Sequence, residues 1–340
     1  YEIHWRDWSS DVCSSDLCLI IAGFFFSTQL YKLNILTLGD FYRMRYNRTV
    51  EVLTTVAIVI SYLGWVAAQI KALGLIFSMI TDGAVSEQAG MILGTAIVLT
   101  YTTLGGMLSV AILDFVQMIV VIGGLLYIGS IVSGMTGGVT PVIEHARAAG
   151  KLDFFPQGAD IWVWITFLGG WITMMLGSIP QQDVFQRVMS ANSEYAATRG
   201  PVIGGIFYIL FAFVPMFLVV SAMIIMPEQA AALIKDDPQK VLPTLVMTQM
   251  PFVMQVLFFG ALLSAIKSCA SATLLAPSVT FTENIWRQFS PRQSDKQELK
   301  AMRVTVLVFS MLVLALHSLY LWTWWTGFLS STEQLWLALA

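Results

Sequence analysis

VLTTVAIVISYLGWVAAQIKALGLIFSMI, residues 52–80, runs for 29 positions with a single charge, Lys71. A hydrocarbon core about 30 Å thick needs around 20 apolar residues per helical crossing, so this stretch is long enough to span a bilayer. Working outward, comparable runs occupy residues 17–30, 50–80, 89–104, 107–134, 161–179, 201–226, 251–280 and 302–322. Inside lipid, backbone N–H and C=O groups must be bonded within their own segment, and for runs of this length that means helices. The prediction is an all-α polytopic membrane helix bundle with about eight transmembrane helices.

Composition points the same way. Hydrophobic residues make up 57% of the chain and charged residues 11%, against roughly 25% charged in soluble domains. The Lys and Arg residues are unevenly shared between alternate connections. One side holds eleven: Lys32, Arg43, Arg45, Arg48, Arg187, Arg199, Arg287, Arg292, Lys296, Lys300 and Arg303. The other holds four, Arg147, Lys151, Lys235 and Lys240. The richer side is expected to be cytoplasmic, in a multi-pass protein of the cytoplasmic (inner) membrane. No basic stripe with interleaved aromatics supports a nucleic-acid partner. Three cysteines in 340 residues do not read as a disulfide framework. The histidines, His4, His145 and His317, have no ligand spacing, and Ser-His-Asp and Walker-type patterns are absent. An enzyme, a resident cofactor or an ATP-driven pump is therefore not expected.

Both ends break the pattern. RDWSSDVCSSDL, residues 6–17, is polar and aperiodic and resembles a translated sequencing-adapter oligonucleotide, so residues 1–17 are set aside as non-native. Native sequence is then expected from Cys18, with its first span cut short. Residues 18–322 read as one transmembrane domain, incomplete at its start, and 323–340 as a C-terminal tail of uncertain origin. Between the ends, residues 140–149 and 226–250 read as surface helices on the outer side.

Two features inside the spans stand out. Gly169-Gly170 falls at the middle of the 161–179 run, where a glycine pair either permits close helix packing or marks a broken helix whose backbone faces solute. Ser264, Lys267, Ser268 and Ser271 recur at i, i+3, i+4 and i+7, a single polar helix face. A lysine at mid-membrane costs several kcal/mol, so this face is expected to point into the bundle. Lys267 either holds helices together through hydrogen bonds or serves as a built-in cation or proton site. Lys71, beside Gln69 and the small-residue stripe Gly64, Ala68 and Ala72, either lines a solute path or marks a packing face.

TLGDFYRMRYNRT (37–49), GGMLSVAILDFVQ (105–117), QQDVFQRVMSANS (181–193) and SAIKSCASATLLAPSVTFTENIW (264–286) together resemble the sodium:solute symporter family, over roughly residues 18–316. The resemblance implies a LeuT-type inverted repeat, of which this chain supplies core helices two to nine, with the first core helix upstream of Cys18. It implies a sodium-type site to which Ala265 contributes its carbonyl, Ser268 its hydroxyl, and Cys269 a thiol where the family has a hydroxyl. A thiol is a soft, poor partner for a hard ion. It also places Asp114, with Gln117 one turn on, along an ion-release path. Gly169, Gly170, Gln69, Lys71 and Ser264 are the solute-path candidates. The expected function is secondary active transport: symport of a small polar solute coupled to Na+ or H+, by alternating access. The alternative is a transporter-like membrane sensor domain of a signalling protein.

Overall fold

The computed structural model describes residues 17–318, apart from 151, 153–154, 157–159, 178 and 291–293. The expected non-native segment, Leu17 aside, and the C-terminal tail lie outside the described residues. Every regular element among the described residues is helical: α1 (Ser27–Leu33, entered by a π-turn at Ala22–Phe26), α2 (Leu38–Arg45), α3 (Arg48–Ile80), α4 (Glu87–Met135), α5 (Val139–Ala148), α6 (Ile161–Gly177), α7 (Gln182–Met189), α8 (Glu194–Ile225), α9 (Pro227–Asp236), α10 (Val241–Gln249), α11 (Phe252–Phe281, followed by a π-turn at Thr282–Trp286) and α12 (Asp295–Ser318). Among them six helices are long and apolar enough to cross a membrane, or seven crossings if Leu17–Leu33 and Leu38–Arg45 count as one.

The eight sequence stretches fall on fewer elements because residues 89–104 and 107–134 share α4. Its helical hydrogen bonding is continuous, yet it cannot be a straight rod. Thr102 and Asp114, about 18 Å apart along an ideal helix, reach Ser271 and Ser268, which lie about 4.5 Å apart along α11.

The chain divides into two compact units, each discontinuous in sequence: residues 1–36 with 118–262, and 37–117 with 263–340. In the first, α8 is the organising helix. Ser193 caps it by accepting from the Ala196 N–H at 3.2 Å. The π-turn before α1 lies so close that a Cβ on Gly23 would stand 2.9 Å from the Thr198 carbonyl. Thr28 and Thr198 share a 2.9 Å hydroxyl contact and Lys32 pairs with Glu194 at 3.0 Å. The predicted surface helices are present as α5, α9 and α10, with Val142, Ala146 and Ala230 buried beneath them.

In the same unit, α6 runs unbroken through Gly169-Gly170, and the Thr173 hydroxyl bonds the Gly169 carbonyl at 2.7 Å. The expected interruption is not there. Neither glycine has a described atom within 4 Å of where its Cβ would stand, so no close helix contact explains the pair either. A helix tolerates such glycines at about 1 kcal/mol each because its hydrogen-bond ladder needs no side chain.

In the second unit, α3, α4, α11 and α12 enclose an apolar core built around Val66, Ile70, Leu73, Val98, Leu274 and Val313. The close approach on α3 is at Gly74, where a Cβ would meet the Glu87 carbonyl and Met91 at 2.5 Å. The stripe Gly64, Ala68 and Ala72 is not the packing face. At 100° per residue it lies about half a turn from the Val66, Ile70 and Gly74 face, and Ala68 and Lys71 are exposed.

A polar network closes one end of this unit. Thr37 caps α2 in a reciprocal box with Asp40, both bonds at 3.1 Å, and Asn47 caps α3. Asn284, in the π-turn after α11 and fully buried, donates to Asp40 at 2.8 Å and Glu51 at 3.0 Å and accepts from the Thr37 hydroxyl at 2.7 Å. Glu51 is 1% exposed, and its second oxygen faces the Arg43 guanidinium at 3.7 Å.

Candidate cation and solute site

The polar face of α11 meets α4, within the second unit. Ser268 donates its hydroxyl proton to a carboxylate oxygen of Asp114. One turn further along α11, the Ser271 oxygen accepts from Thr102 at 2.9 Å, with both hydroxyls buried. On the same two helices, the Lys267 ammonium sits 4.5 Å from the centroid of the Tyr101 ring. Two candidates that sequence reasoning held apart, Ser268 in a cation site and Asp114 on a release path, are therefore direct partners.

The electrostatics explain how a lysine is tolerated here. A charged Lys at a helix centre costs about 2.5–3.5 kcal/mol on the lenient scale, and a desolvated cation–π contact returns about 2 kcal/mol. The ring offsets much of the cost, and Asp114, bonded to the residue next to Lys267, brings opposite charge into the same cluster. The Tyr101 hydroxyl is buried and has no hydrogen-bond partner among the described residues, so a group able to accept or donate would complete it. Lys267 thus faces protein, as its polar helix face requires.

The other candidates lie around this cluster or apart from it. Ser264, Cys269 and Gln117 are half-buried, while Ala265 is exposed. The Cys269 carbonyl accepts from Thr273 at 2.9 Å. Gln69 and Lys71 on α3 are half-buried and exposed respectively, and Gly169 and Gly170 belong to the first unit. Among the described residues no group of three or more His, Cys, Asp or Glu side chains could hold a metal. Tyr101 and Thr102 escaped the sequence reading. Their signal was the hydroxyl run TYTT at 100–103, in an otherwise apolar stretch.

A sequence model of the sodium:solute symporter family matches residues 13–320. The chain belongs to that family. Among its relatives, the chain is 28% identical over 324 residues to the human high affinity choline transporter 1, covering 89% of this chain and 53% of that protein. It is 25% identical to sodium/glucose cotransporter 4 of Danio rerio, covering 85% of this chain and 49% of that one. The chain thus spans about half the length of the relatives it matches. Its structure superposes on a substrate-bound, outward-open Na+-coupled sialic acid symporter with a TM-score of 0.76, at 20% identity, over 96% of this chain and 71% of the other. That likeness establishes the LeuT-type fold.

Proposed function

We propose that the protein carries out symport of a small polar solute across the cytoplasmic membrane, driven by a cation gradient, with the α4–α11 cluster as the coupling centre. The observation that carries this reading is the Ser268–Asp114 bond beside the Lys267–Tyr101 contact. A hydroxyl that gives its proton to a carboxylate becomes a more electron-rich oxygen, and so a better ligand for a hard cation such as Na+. Ala265 would add its carbonyl, while Cys269 contributes a soft sulfur where an oxygen would bind better. Lys267 is the built-in cation of this site. Its ammonium group either shares the carboxylate with Na+ or takes the place of Na+ there. The choline and glucose carriers among the relatives support a small polar solute, and Tyr101, Ser264 and Gln117 are its nearest candidate contacts.

The test is uptake of radiolabelled choline, glucose and lactate by the full-length gene product in liposomes, under an imposed Na+ or pH gradient. One gradient should accelerate uptake of at least one probe in the wild type. Asp114→Asn should abolish that acceleration, and Lys267→Met should change which ion is effective. Uptake indifferent to both gradients, or a Lys267→Met protein with unaltered ion dependence, would overturn the coupling centre.

A further inference from the structure

A cavity lies away from the coupling centre, within the second unit. It is a groove of about 510 Å³ between α11 with its π-turn, α12 and the edge of α3, a volume within the range of small-molecule sites. From α12 it is lined by Gln297, Lys300, Ala301, Val304, Val308 and Leu312, spaced along one helix face. Polarity is graded along that face, with the polar pair at the start of the helix and hydrocarbon from Ala301 onward, broken only by Thr305.

The dimensions match half a membrane. Lys300 to Leu312 is twelve residues, about 18 Å of helix, close to one leaflet of a hydrocarbon core about 30 Å thick. Lys300 is the only charged residue in the lining, and it has no ion-pair partner among the described residues. The neighbouring Arg287 is already engaged by Glu283 and Glu298. This end of α12 is the basic one, with Lys296, Lys300 and Arg303, where the cytoplasmic leaflet presents its anionic headgroups.

We propose that the groove is a binding site for an anionic phospholipid, its phosphate held at Lys300 and one acyl chain lying against α12 as far as Leu312. Charge complementarity at one end and a leaflet-long hydrocarbon wall define the occupant. The inference is independent of the transport reading.

The test uses the full-length protein in nanodiscs of phosphatidylcholine with one-fifth phosphatidylglycerol, extracted into mild detergent, with retained lipid identified by native mass spectrometry. The wild type should retain phosphatidylglycerol in preference to phosphatidylcholine. Lys300→Ala should lower that preference about fivefold, as expected for one lysine near a charged surface, whereas Lys296→Ala, outside the lining, should not. Ala301→Trp, or Val308→Trp if the first fails to fold, should expel both lipids. Equal retention of the two lipids by the wild type, or an unchanged preference in Lys300→Ala, would overturn the proposal. So would displacement of the retained lipid by inorganic phosphate alone, or a Val308→Cys cross-link showing the groove filled by a second copy.

Discussion

Replacing Asn284 by Ala strips two carboxylates of their shared donor. In the structure one amide nitrogen donates to Asp40 at 2.8 Å and Glu51 at 3.0 Å, and the amide oxygen accepts from Thr37 at 2.7 Å. Hydrogen bonds to charged groups contribute about 1.5–3 kcal/mol each, so the two lost bonds amount to about 3–6 kcal/mol. Leaving a buried charge without its partner costs about 3–5 kcal/mol in comparable cases. Asp40 can recover part of its loss through the Thr37 N–H it already accepts, while Glu51, at 1% exposure, has only the distant Arg43. The expected destabilisation is therefore about 3–5 kcal/mol, read by SDS titration of the purified protein in one detergent. Asn284→Asp should be worse than Asn284→Ala at pH 8, because it sets a third carboxylate against the first two. A loss below about 1 kcal/mol for Asn284→Ala, or an Asn284→Asp protein as stable as wild type at pH 8, would refute the account of the network as a buried clamp.

Further outcomes follow from the same contacts. Gly74→Ala places a methyl 2.5 Å from the Glu87 carbonyl and should cost about 1–3 kcal/mol by overpacking, whereas Gly169→Ala, with open space around it, should be neutral or slightly stabilising in the same titration. Tyr101→Phe keeps the ring under Lys267 and removes a buried hydroxyl without a partner, so stability should hold, while Tyr101→Leu should lose about 0.5–2 kcal/mol with the cation–π contact. If Tyr101→Phe nonetheless slows uptake of the transported probe in liposomes, its hydroxyl contacts the solute. Ser271→Ala leaves Thr102 to bond back to its own helix and should cost about 1 kcal/mol, and a much larger loss would show that the α4–α11 contact depends on that bond.

Much of the site was legible in the chain itself. The i, i+3, i+4, i+7 series from Ser264 to Ser271 identified one polar face, and a charge as costly as Lys267 could not be left against lipid, so the face had to turn inward. Both deductions are local, resting on helix periodicity and the expense of a bare ammonium in hydrocarbon. Gly169-Gly170 and the Gly64 stripe misled because small residues allow a break or a close contact without compelling either, and neighbouring helices choose which glycine is used. That choice went to Gly74.

Apolar period and charge placement alone determined that this is a helical membrane protein, because a backbone in lipid has no other way to satisfy its hydrogen bonds. Tertiary structure alone decided that Asp114 bonds Ser268, 154 positions away, and that Asn284 joins Asp40 and Glu51 across more than 230. Pairing at such separations depends on how helices pack and bend in three dimensions, and nothing in the local spacing of either partner encodes it.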